Sequence, residues 1–180
     1  AAPAPAAVHP PGSVTDFDEI GLAAAGFIRA DGTEQLFPPG VAHVHDEATG
    51  ARVDPTAQHL GQPACFMHGP YIGGAGDSFQ EFTLQLPAAP AGVLTGLTAL
   101  AAGAEASDGV TFRVRVNGQV AWSEHRRGSA WQPFSVNLAA WTGETVRIRF
   151  EVSPGPAGNS SFDWALWGGR RLLLPGYTAP

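Results

Sequence analysis

The sequence predicts an all-β chain folded as an antiparallel two-sheet β-sandwich, jelly-roll-like and with little helix. Three features carry that prediction. From residue 78 onward apolar side chains recur at every second position, these runs are spaced by turn signals at intervals of about ten residues, and no segment sustains a helical period. The 23 glycines and 16 prolines exceed a fifth of the 180 residues, a composition that favours turns and short strands.

Taken in order, residues 1–12 (AAPAPAAVHPPG) read as a Pro/Ala-rich extended tail, residues 13–174 as one sandwich domain, and residues 175–180 as a C-terminal tail. Residues 13–70 are the least regular part. Their apolar clusters, Phe17–Leu22 and Gly26–Ile28, are separated by turn signals at Asp31-Gly32, Pro38-Pro39-Gly40 and Thr49-Gly50. Phe82, Leu84 and Leu86 then share one strand face, and Val93–Leu100 reads as a buried strand. Val110, Phe112, Val114 and Val116 alternate with polar residues up to Asn117-Gly118, a type I′ hairpin signal, and Val120 and Trp122 begin the return strand. Phe134, Val136 and Leu138, then Val146, Ile148, Phe150 and Val152, form the next inward faces. The closing strand is expected across Phe162-Asp163-Trp164-Ala165-Leu166-Trp167.

Composition narrows the function. A hydrophobic content of 44% with 14% charged residues is that of a globular chain, long enough to bury most of its apolar surface. No apolar run approaches the roughly eighteen residues of a membrane span. The single cysteine, Cys65, excludes an internal disulfide and reads as a buried thiol. Residues 1–90 hold ten acids and two arginines, a net −8, whereas residues 91–180 hold six acids and eight arginines, a net +2. The overall −6 argues against nucleic-acid binding, which needs a basic surface to meet phosphates. The two halves are expected either to pack acid against arginine or to face different partners. The start at Ala1 without methionine, and arginine without lysine, lead to the expectation of a bacterial protein exported to the periplasm or beyond after removal of a signal peptide.

The run Asp108-Gly109-Val110-Thr111-Phe112-Arg113-Val114, then Trp131 to Leu138, Val146 to Phe150 and Phe162 to Trp167, resembles the NPCBM-like group of carbohydrate-binding modules over residues 64–173. The resemblance implies a jelly-roll sandwich related to galactose-binding domains, and a glycan as ligand.

Period-two alternation places Trp164 with Phe162 and Leu166 on the core side, and Trp167 with Asp163 and Ala165 on the accessible side. Trp122 reads as core and Trp141 as an end plug. Trp131 precedes its strand, which makes it, with Trp167, a candidate for packing, for a protein interface or for stacking on a sugar ring. Arg113, Arg115, Arg147 and Arg149 point away from the apolar faces of their strands. They form either a solvated stripe paired with acids or a docking surface for an acidic partner. His43 and His45 are weak metal candidates that lack an identified third ligand; His59 or His68 could supply it. Cys65-Phe66-Met67-His68 carries copper-friendly atoms without the spacing of a blue-copper loop. Asp108 and Asp163 are candidate ligands of a structural calcium, the one cofactor considered. Gly76-Asp77-Ser78 is similar to an esterase nucleophile block, with Ser78, His125 and Asp163 as the paper triad.

The expected function is a non-catalytic interaction subunit outside the cytoplasm, docking onto a larger envelope or membrane-bound protein assembly. The alternative is a free-standing carbohydrate-binding module, and an esterase-like hydrolase is a distant third.

Overall fold

A computed structural model describes residues 13–41 and 43–174, and the two predicted tails lie outside them. Thirteen strands follow one another: β1 (Val14–Asp16), β2 (Ala24–Ile28), β3 (Glu34–Leu36), β4 (Val44–His45), β5 (Arg52–His59), β6 (Gln62–His68), β7 (Asp77–Gln85), β8 (Val93–Leu100), β9 (Val110–Val116), β10 (Gln119–Arg126), β11 (Gln132–Asn137), β12 (Thr145–Pro154) and β13 (Ala165–Leu173). One 3-10 turn, Ala139–Trp141, precedes β12. The strands form two antiparallel sheets. One runs β10-β9-β12-β7-β2-β3, the other β11-β8-β13-β6-β5-β4, with β1 added to β13. The predicted all-β sandwich is what the chain adopts.

The strands from β7 to β12 form where the alternation predicts them. In β9, Val110, Phe112, Val114 and Val116 are buried while Thr111, Arg113 and Arg115 are half-buried. Asn117 and Gly118 both take positive φ, 50° and 82°, the backbone that a type I′ turn requires. A bulge between Val120 and Trp122 then changes the phase of β10. It leaves Val120 exposed and turns Trp122 onto Phe134, with ring centroids 4.9 Å apart.

The irregular first third of the sequence supplies six strands, because short segments with mixed burial carry little periodic signal. The acids of the first half meet the arginines of the second half, as one of the two charge readings anticipates. Asp16 pairs with Arg171, Asp18 with Arg170, Asp77 with Arg113, and Glu34 and Glu81 with Arg149.

Strand β13 is the hub of its sheet. Its first half pairs with β6 and its second half with β1, while β8 flanks it on the other side. A bulge between Gly168 and Arg171, with Gly169 at φ 52°, shifts its phase and sends the Arg170 side chain into the interior.

Candidate functional site

Antiparallel pairing builds one groove on the outer face of the seven-stranded sheet. His45 lies opposite Arg52, Arg52 opposite His68, and Asp54 opposite Phe66. Directly opposed residues share a face, so these side chains point outward while Val53 and Met67 point into the core. The turn after β6 adds Tyr71 on one side. The connection into β13 adds Ser160, Ser161, Phe162 and Trp164 on the other. Together they enclose about 450 Å³, within the roughly 300–1,000 Å³ of small-molecule sites.

Each wall is held by identifiable contacts. The Arg52 guanidinium lies 5.0 Å from the Phe66 ring centroid and donates to Asp54 Oδ2 at 3.0 Å, while its Nε is buried without a partner. Thr56 and Arg52 hold the Asp54 carboxyl down at about 2 despite its burial. His68 bridges the two walls, with Nδ1 2.6 Å from Gly69 O and Nε2 3.1 Å from Ser160 O. Burial lowers its pKa, against the two carbonyls that favour the charged ring. The neutral ring donates to one carbonyl at a time. The Tyr71 ring stands edge-on to His68 at 5.4 Å and leaves half its surface, 52%, exposed.

Tyr71 also rests on Gly50. A Cβ added there would fall 2.0 Å from the Tyr71 ring, and Gly50 has φ 79°. Gly50→Ala is therefore expected to cost about 1–3 kcal/mol in backbone strain and to displace the Tyr71 ring, read by thermal unfolding and by the Tyr71 ring resonances.

The opposite wall is strained. Phe162 has φ 60°, unusual for a bulky residue, and keeps 44% of its surface exposed. A tight turn, Trp164 N–H to Phe162 O at 2.7 Å, sets its ring 5.7 Å from that of Trp164. Between them the Asp163 side chain turns inward, 5% exposed. Ser107 Oγ donates to its Oδ1 at 2.6 Å, and its Oδ2 is buried without a partner. Burial, reinforced by the Asp108 carboxylate, pushes Asp163 up to about 6. Asp108 Oδ1 is likewise buried and unpartnered.

The structure places the other predicted residues elsewhere. Trp167 is fully buried, its ring 5.2–5.3 Å from those of Phe112, Phe134 and Phe150, so it is no accessible platform. Trp164 is the half-exposed one, at a groove wall. The inversion arises because β13 begins at Ala165 and both its faces are covered: Leu166, facing outward, is as buried as Trp167. Trp131 is half-buried across Gly168, where an added Cβ would meet its ring at 2.9 Å, and it packs edge-on to His59.

The arginine stripe is paired. Arg113 and Arg115 bind the fully buried Glu151 at 3.0 and 3.1 Å, Arg113 reaches Asp77, Arg149 binds Glu34 and Glu81, and Arg147 lies 3.8 Å from Glu81. This is the acid-paired face of the two readings, and it offers an acidic partner little free charge.

His43 pairs with Asp54 at 2.9 Å, leaving His45 alone of that pair in the groove. Cys65 and Met67 face the core and His68 the opposite side, so they do not converge on a metal; burial pushes the Cys65 thiol up to about 12. Among the described residues no group of three or more His, Cys, Asp or Glu is arranged to hold a metal ion. Ser78 is fully buried with its Oγ unpartnered, whereas His125 contacts Asp108 O and Thr111, so the paper triad is not assembled.

Comparison with known proteins adds the fold's relatives. No family model matches the chain. An uncharacterized protein of Archaeoglobus fulgidus is 33% identical over 78 residues, covering 38% of this chain and 20% of that protein. Among solved structures, the tandem CBM51 modules of a family 98 glycoside hydrolase from Streptococcus pneumoniae give a TM-score of 0.55 at 10% identity, over 93% of this chain and 49% of theirs. The CBM51 from Clostridium perfringens GH95, in complex with methyl-galactose, gives 0.53 at 12% identity, over 89% and 99%. The CBM22-1 xylan-binding domain from Paenibacillus barcinonensis gives 0.51 at 12% identity, over 97% and 99%. Identities this low speak to fold alone, and the fold they share with this chain is the jelly-roll β-sandwich of carbohydrate-binding modules.

Proposed function

We propose that this chain is a non-catalytic glycan-binding module and that the groove lined by Phe66, Tyr71, Phe162 and Trp164 is its sugar site. The observation that carries the reading is four aromatic rings gathered around hydrogen-bonding groups in one open groove. The C–H face of a pyranose stacks on an aromatic face, while His45, Arg52, Ser160 and Ser161 are suited to its hydroxyls. The fold's likeness to carbohydrate-binding modules supports the same reading. Of the surfaces that the sequence offered to a docking partner, the arginine stripe is paired with acids and Trp167 is buried. A location outside the cytoplasm, where polysaccharide is met, is part of the proposal. So is a structural calcium: the two unpartnered carboxylate oxygens of Asp108 and Asp163 suit a hard divalent cation, with backbone carbonyls and water completing its shell.

Titration calorimetry after a glycan-array screen tests the site. Trp164→Ala and Tyr71→Ala are each expected to weaken the best glycan about 10–100-fold, and Trp131→Ala to leave it unchanged. Absence of any glycan binding, or full affinity in the Trp164→Ala/Tyr71→Ala double variant, would refute the assignment.

A further inference from the structure

A second cavity, independent of the groove, opens between the sheets along the edge where β2 and β3 stand over β5. It encloses about 550 Å³. Its mouth carries Leu22, Leu36 and Val41, three of the large apolar side chains most exposed among the described residues, at 41, 56 and 46%. Its floor is polar. There Arg170, 1% exposed, donates Nη1 to Gln80 Oε1 at 2.8 Å and Nη2 to Asp18 Oδ1 at 2.7 Å. A cavity with apolar walls and a few converging polar groups is the usual form of a small-molecule site.

The chemistry at the floor is specific. A guanidinium binds carboxylate best in a bidentate fork, and the Nε/Nη2 edge is one such fork. In this protein Asp18 fills half of it: Nη2 is engaged and Nε is buried without a partner. Asp18 lies on a turn with a third of its side chain, 34%, exposed, so it can rotate toward water while the arginine stays fixed by Gln80 and by the Phe150 ring 4.8 Å away. We propose that the cavity binds an apolar monocarboxylate, whose two oxygens take the Nε/Nη2 edge of Arg170 in place of Asp18 while its aliphatic body lies along Leu22 and Phe37. Asp18 then acts as a resident stand-in for the ligand's head group.

Decanoate, at monomeric concentrations, and its uncharged methyl ester are the probes, titrated calorimetrically into the full chain. Wild type is expected to bind decanoate about tenfold or more tighter than the ester, because only the acid completes the fork. Asp18→Asn removes the competing charge and is expected to tighten decanoate several-fold with no change for the ester. Leu22→Asp, a surface change that leaves the arginine intact, is expected to weaken both. Arg170→Gln is expected to abolish the preference for the acid; circular dichroism establishes that it is folded, and the two surface variants carry the test if it is not. No decanoate binding, equal affinity for acid and ester, or an Asp18→Asn variant that binds decanoate no tighter would overturn the proposal.

Discussion

Trp167→Ala is expected to destabilise the protein by about 3–5 kcal/mol, the range for truncating a large aromatic side chain in a packed core. The ring is the meeting point of the two sheets. It belongs to β13 of one sheet and touches Phe112 and Phe150 of the other, together with Phe134 of its own, all within 5.3 Å. Removing it leaves a cavity that these rings cannot all collapse into, since each is held on its own strand. At about 2–4 °C per kcal/mol for a chain of this size, thermal unfolding should fall by roughly 6–20 °C. Trp164→Ala gives the contrasting result. Its half-exposed ring is expected to cost about 2 kcal/mol or less in stability, in line with the partial burial lost, while glycan binding falls. A reversed pair of results, with Trp167 dispensable for stability and Trp164 essential to it, would restore the alternation-based assignment and refute the observed register.

Asp163→Asn is expected to stabilise the metal-free protein by about 1–3 kcal/mol at pH 7. In the folded state burial and Asp108 raise the carboxyl pKa from 3.8 to about 6. Each tenfold change in proton affinity between the folded and unfolded states is worth about 1.4 kcal/mol. The sign follows from proton uptake. Between pH 3.8 and 6 the folded state holds the proton more firmly than the unfolded state, so stability falls as pH rises through that window and stays low above it. Asparagine keeps an acceptor for Ser107 Oγ and removes the charge, so that decline disappears in the variant. Denaturant unfolding in a chelator from about pH 4 to 7 measures it. Calcium is expected to reverse the order: wild type gains stability on adding the ion, and the variant gains little because it has lost a charged ligand. A wild type indifferent to calcium would remove the proposed ion and leave the pH-dependent penalty standing. The same carboxyl sits between Phe162 and Trp164, so its state also bears on the wall of the groove.

Much of the architecture was readable because many strands are buried on one face and wetted on the other. Val110 to Val116 and Val146 to Phe150 alternate cleanly, and Asn117-Gly118 names its own turn by requiring two positive φ angles. The core they define came directly from that alternation. The candidate site was far less readable. Arg52, Phe66, His68 and Tyr71 come from the segment with the weakest pattern, and they reach Phe162 and Trp164 only after β6 pairs with β13. One local signal was available: Thr49-Gly50 marks a turn, and glycine there is what lets the Tyr71 ring approach the backbone closely.

Residue order alone was enough for the class of fold, the burial of Cys65 and the turn after β9, and it favoured the packing of the acidic first half against the arginine-bearing second half. These follow from local periodicity, turn chemistry and charge, which act over a few residues or over the whole chain. Which tryptophan is core was settled by tertiary packing. A central strand covered on both sides shows no polar face, so alternation cannot say which side meets the other sheet, and the bulge at Gly169 moves the phase again within the same strand. The groove and the Arg170 cavity arise the same way, from long-range pairing that brings residues far apart in sequence to one place, where their burial and unused hydrogen-bonding groups give them their chemistry.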